Sequence, residues 1–104
     1  MGLHIHPDYQ EIVQFCQTWR IERFEFFGSV LREDFSPDSD VDVLVSFSSD
    51  AEWGIWDHLK MEEQLSEMLS RKVDLVSRRA VERSKNWIRR EQILSNTEPY
   101  YAVG

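Results

Sequence analysis

The run Val41-Asp-Val-Leu-Val-Ser-Phe47 is β-branched and apolar, as expected of a strand in the middle of a sheet, yet it carries Asp42 and follows directly on Asp40. A strand directs residues i and i+2 to one face, so the two carboxylates project side by side. Burying one carboxylate beside another is costly, and one of them keeps its proton unless a cation shares the charge. A divalent metal meets that need. Mg2+ takes oxygen ligands from one or two carboxylates and completes its shell with water and substrate phosphates. A third acid, Asp74, interrupts another β-branched run, Lys72-Val-Asp-Leu-Val-Ser77. If the two strands are neighbours, three carboxylates converge in an arrangement that can hold two metals and support in-line phosphoryl transfer.

A second feature lies just upstream. Arg23-Phe-Glu-Phe-Phe27 alternates and is aromatic, which suits a strand, and Gly28-Ser29 follows at once. A glycine at a strand-to-helix turn lets the backbone approach a ligand closely. Ser29 is expected to cap a short helix running through Arg32, whose free N–H groups would suit a phosphate. Glu33-Asp-Phe-Ser-Pro-Asp-Ser-Asp40 is turn-rich, with Pro37 presetting one dihedral and Asp38 and Ser39 favouring local hydrogen bonds. One element thus grips a phosphate tail while the other supplies the metal, and nucleotidyl transfer fits that pairing.

The remaining elements follow from periodicity. Ile12, Phe15, Cys16 and Trp19 share one face of a helix over 8–20. A second helix spans 55–70, with a stripe of Leu59, Met61, Leu65, Met68 and Leu69, and residues 72–77 make a third strand. A third long helix is expected over 80–95, with Ala80, Trp87 and Leu94 seven apart; Pro99 ends it, and Tyr100-Tyr-Ala-Val103 adds a short edge strand. The alternation predicts an α/β (α+β) fold, a small mixed β-sheet packed with helices, in a single domain over 1–104.

Charge narrows the choice of partners. The net charge is −7, which argues against direct nucleic-acid binding. Residues 1–77 hold six Lys/Arg against sixteen Asp/Glu, whereas residues 78–104 hold six against three. The basic set Arg78, Arg79, Arg83, Lys85, Arg89 and Arg90 is read as a solvated helix face, with a partner or nucleotide contact as the alternative. No apolar run approaches the roughly 18 residues of a membrane span, and no signal-peptide core is present. The lone Cys16 is expected to pack in a helix, and the chain is expected to be cytoplasmic. His4 and His6 lie at a terminus expected to fray and are not read as metal ligands. His58 reads as a surface helix residue. Trp56 falls on the side of its helix opposite Leu65, which makes it a candidate interface anchor.

Two other meanings of the acidic cluster are less favoured. A calcium loop starting at Asp38 would need Gly where Val43 stands and Glu where Ser49 stands. A sugar-nucleotide Asp-x-Asp site is disfavoured, because 104 residues leave little room for a glycosyltransferase domain.

Taken whole, residues 26–47 resemble the nucleotidyltransferase superfamily related to DNA polymerase β, and in particular its smallest members, the MNT (minimal nucleotidyltransferase) proteins. Gly28-Ser29, ten intervening residues and Asp40-x-Asp42 meet that family's pattern, and Asp74 matches its third carboxylate. Glu33 and Val30 depart from the usual Gly and Arg of the spacer; neither is a metal ligand. The resemblance implies a polymerase β-like nucleotidyltransferase fold and an antitoxin, encoded beside a HEPN ribonuclease toxin, that transfers AMP from ATP to a tyrosine hydroxyl of that toxin. It implies Mg2+ on Asp40, Asp42 and Asp74, with Asp74 helping to deprotonate the hydroxyl. It further implies phosphate positioning by Gly28 and Ser29 and nearby charge from Arg32. Two other readings stand beside it: an antitoxin that neutralises by binding alone, and a stand-alone transferase acting on a small molecule.

Overall fold

The computed structural model describes residues 3 and 5–103. Its elements run α1 (Tyr9–Thr18), β1 (Ile21–Phe27), a 3-10 turn (Gly28–Leu31), β2 (Val41–Phe47), α2 (Ile55–Leu69), β3 (Val73–Ser77), α3 (Arg78–Glu82), α4 (Trp87–Ser95) and β4 (Thr97–Ala102). The strands form one mixed sheet in the order β3-β2-β1-β4. β2 and β3 are parallel, and β1 is antiparallel to both of its neighbours. This is the α+β arrangement expected from the pattern of elements.

Strand alternation divides the core into two layers. Phe24, Phe26, Val41, Val43 and Val45 face α1 and α2, where they meet Ile12, Phe15, Cys16, Met61 and Leu65. Phe27 and Leu44 face the other way, against Val81 of α3 and Ile93 of α4. Both faces are therefore covered, which explains why 41–47 is apolar at successive positions instead of alternating. α1 begins at an Asp8 cap, whose Oδ1 accepts from the backbone N–H groups of Gln10 (3.0 Å) and Glu11 (3.4 Å). Cys16 is fully buried, and burial pushes its thiol up to about 12, so it packs as expected.

Several local expectations are corrected. Ser29 does not cap a helix: the Gly28–Leu31 turn is 3-10, and its cap position is Phe27, which makes no side-chain bond. Leu59 is exposed, because the buried line on α2 runs Met61 to Leu65 and its previous member falls at Asp57 or His58. The helix expected over 80–95 is two helices. Asn86 Oδ1 accepts from Arg89 N (3.2 Å) and starts α4 afresh, while Asn86 N donates to Ser84 Oγ (3.2 Å). The buried residues are accordingly Val81 and Ile93, whereas Ala80 and Trp87 are exposed. Pro99 does not end the helix, which stops at Ser95; it lies inside β4. An edge strand tolerates that, since its missing N–H can face away from the ladder.

Among the described residues no helix is long and apolar enough to cross a membrane. His4 lies outside the described residues, and His6 is exposed.

Candidate active site

The parallel register of β2 and β3 pairs Asp42 with Asp74, which puts both carboxylates on one face, the face covered by α3 and α4. Both line a cavity of about 900 Å3. Phe27, Gly28, Leu31 and Arg32 form a second wall, and a third comes from α4 and the start of β4: Arg89, Gln92, Ile93, Ser95, Asn96, Thr97 and Glu98. Asp40 stands one residue before β2 and is exposed, but its charge reaches Asp42. Burial, then Asp74, then Asp40 push the Asp42 carboxyl up to about 6, against the opposing pull of Arg89 and Arg32.

Gly28 is placed by the register of β1, where Phe27 pairs with Asp42. Its φ is 77°, in the left-handed region, and a Cβ built there would run into the Asp42 carboxylate. Backbone and carboxylate are thus in direct contact, and only glycine permits it. Ser29 is not among the cavity walls. Its hydroxyl donates to the Asp40 carbonyl at 3.2 Å and so tethers the first aspartate to the Gly-Ser turn.

The donors fit a divalent cation shared with a phosphate. They are hard oxygens, and burial together with the neighbouring acids keeps the Asp42 carboxyl raised in spite of Arg89 and Arg32. Among the described residues no three His, Cys, Asp or Glu side chains form a group that could hold a metal ion by themselves, the expected trio of Asp40, Asp42 and Asp74 included. Mg2+ does not need one, because it is usually held by one or two carboxylates plus substrate oxygens. Asp42 and Asp74, paired across β2 and β3, would supply such carboxylates, with Asp40 exposed just before β2. Arg32 and Arg89 add the complementary half, since carboxylates alone repel a polyphosphate and arginines alone repel a cation. A lining of both signs suits the two together.

The basic set expected to form one solvated face is divided. Arg89 reaches the cavity. Arg90 Nη1 donates to Ser84 O at 2.9 Å, and Arg78 Nη2 donates to Glu25 Oε2 at 2.5 Å. Arg79, Arg83 and Lys85 remain exposed. Sequence reasoning missed Glu25, a fully buried acid on the cavity's face of β1, because Phe-Glu-Phe reads as a strand with one wet side. It also gave Arg89 no role separate from its neighbours; no spacing distinguished it, since the helix boundary that aims it was not visible.

A mixed sheet with paired carboxylates opposite a glycine turn is the arrangement that the nucleotidyl-transfer reading of the sequence calls for. Residues 10–100 match the nucleotidyltransferase domain family, and the chain belongs to it. Within that family it is of the minimal kind: the solved structure of a "putative minimal nucleotidyltransferase" is 31% identical, with a TM-score of 0.67, over 88% of this chain and 87% of that one. The solved complex of tri-AMPylated Shewanella oneidensis HEPN toxin with MNT antitoxin has the same fold in one chain. It matches with a TM-score of 0.63 at 18% identity, over 91% of this chain and 70% of that one. A "putative protein adenylyltransferase" of Methanocaldococcus jannaschii is 27% identical over 63 residues, which is 61% of this chain and 63% of that protein, less than two thirds of its length.

Proposed function

We propose that this protein is an antitoxin that transfers AMP from ATP to a tyrosine hydroxyl of a HEPN-type toxin in the cytoplasm, and neutralises the toxin by that modification. The observation that carries the reading is the cavity at Asp42 and Asp74, walled by acids on one side and by Arg32 and Arg89 on others. The AMPylated toxin in the Shewanella complex and the adenylyltransferase name of the archaeal relative support the choice of reaction and acceptor.

Mg2+ held by Asp40, Asp42 and Asp74 would neutralise triphosphate charge and favour attack at phosphorus. The chain's own groups do the rest. Arg32 and Arg89 draw the phosphates toward the carboxylates, and Gly28 lets the Asp42 carboxylate lie against the turn. The tyrosine oxygen forms its bond to the α-phosphorus while the bond to the oxygen bridging to the β-phosphate breaks. Pyrophosphate departs with that oxygen, and the hydroxyl proton passes to the Asp74 carboxylate.

The test is to mix the protein with the HEPN-type protein encoded beside it, ATP and Mg2+, and to weigh both chains. A toxin heavier by one or more AMP units, absent with Asp42→Asn, supports the enzyme. A tight complex with no added mass replaces it with neutralisation by binding, and modification of an added small molecule instead of the toxin replaces it with a stand-alone transferase.

A further inference from the structure

We infer that Arg71 is a positioning residue of this site, holding the segment between the Gly-Ser turn and β2 so that Asp40 stands beside Asp42. The inference rests on the proposed metal–nucleotide site, since that is what Asp40 is positioned for.

Arg71 lies between α2 and β3, and its N–H donates to Ser66 O at 3.2 Å, which anchors its backbone to α2. Its guanidinium carbon sits 4.5 Å from the centre of the Phe35 ring. From there Nη1 donates to Ser36 O at 3.0 Å and to Pro37 O at 3.3 Å. These carbonyls belong to a turn closed by Ser39 N donating to Ser36 O at 3.0 Å and Ser36 N donating to Ser39 Oγ at 3.2 Å. The next residue is Asp40. Its own carbonyl accepts from Ser29 Oγ, and Val41 N donates to Lys72 O at 2.9 Å, next to Arg71.

Asp40 lies outside the strand ladder and is exposed, so its position depends on what holds the chain on either side of it. The Lys72 carbonyl and the β3 ladder hold the downstream side. Upstream, the Arg71 clamp joins the spacer to the connection that leads, three residues later, to Asp74. One side chain thus sets the spacer against the strand bearing the third carboxylate. The task needs arginine in particular: a planar guanidinium stacks on an aromatic ring while donating in its own plane, and a lysine ammonium can do only part of this.

The experiment compares wild type, Arg71→Ala, Arg71→Lys and Phe35→Leu, each as the full chain, by two measurements. Amide hydrogen exchange of the ligand-free protein reads the clamp, and the melting temperature across a Mg2+–ATP titration reads its consequence. In Arg71→Ala, exchange at Ser39 and Val41 should accelerate, and the half-saturating Mg2+–ATP concentration should rise about tenfold, as for loss of a residue supporting a metal ligand. Arg71→Lys should recover part of both changes, and Phe35→Leu should show smaller changes in the same direction. Unchanged exchange in Arg71→Ala overturns the clamp, and faster exchange with unaltered Mg2+–ATP dependence overturns its role at the site. If Arg71→Ala does not fold, Phe35→Leu decides, and wild-type behaviour there overturns the inference. A wild-type protein that Mg2+–ATP fails to stabilise counts against the nucleotide reading instead; exchange at Ser39 and Val41 then judges the clamp by itself.

Discussion

Gly28 answers two demands at once, a left-handed backbone angle and the absence of a side chain where the Asp42 carboxylate stands. Gly28→Ala should therefore cost about 1–2 kcal/mol in urea unfolding from backbone strain alone. It should also abolish nucleotide-dependent stabilisation, because the new methyl displaces Asp42. Asp42 itself carries a pH signature. Its carboxyl moves from 3.8 to about 6 on folding, so over that interval the folded chain holds a proton that the unfolded chain has released. Without divalent cation the effect on stability is nil below pH about 4, turns unfavourable as pH climbs to about 6, and stays so above. Asp42→Asn should consequently gain in melting temperature relative to wild type as pH rises through that window in EDTA, and a difference independent of pH would contradict the assignment. These acids and the Gly-Ser turn could be read from the chain alone, because a charge inside a β-branched run is locally anomalous. Ser29's bond to Asp40 could not, since a serine after a glycine signals a helix cap equally well.

At the level of elements, β1 carries the least visible interaction in the protein. Glu25 is 1% exposed, accepts from Thr97 Oγ1 at 2.7 Å and from Arg78, and so ties β4 and α3 to the central sheet. Burial opposes its ionisation, but the hydrogen bonds from Thr97 and Arg78 outweigh burial and hold the carboxyl below its ordinary value. The stability it contributes is therefore present at neutral pH and is lost as acid protonates it. Arg78→Ala leaves that carboxylate buried with only the half-exposed Arg23, 3.6 Å away, as its cation, and should cost about 3 kcal/mol in urea unfolding. Replacing both partners by apolar residues of similar size should cost far less. A cost below about 1 kcal/mol for the single variant would show the pair to be behaving as an exposed one. The first three strands and α1 were readable because β-branched or aromatic runs mark the strands and an apolar stripe marks the helix, whereas β4 starts three residues before the expected edge strand. The break between α3 and α4 was not readable: Ser84 and Asn86 make the turn through side-chain bonds that hydrophobic spacing does not register.

Considered as a whole, the molecule keeps its two most suggestive surfaces apart. The cavity opens on the face covered by α3 and α4, whereas α2 lies on the other face and presents Trp56, 80% exposed, with Ile55 and Leu59 close by. An exposed tryptophan of this kind is a candidate binding anchor. Trp56→Ala should weaken capture of the proposed HEPN-type partner in calorimetric titration while leaving Mg2+–ATP stabilisation at its wild-type value. Equal affinity for the partner would remove α2 from the interface.

The strand order β3-β2-β1-β4 has one more consequence, and it concerns time. Residues 97–102 pair with residues 21–27, so the wall bearing Thr97 and Glu98 cannot form until chain far downstream of the Gly-Ser turn has been synthesised. A ribosome-bound intermediate holding all three aspartates would still lack one side of its pocket. Any activity should therefore appear abruptly, once residues 97–102 are free to pair.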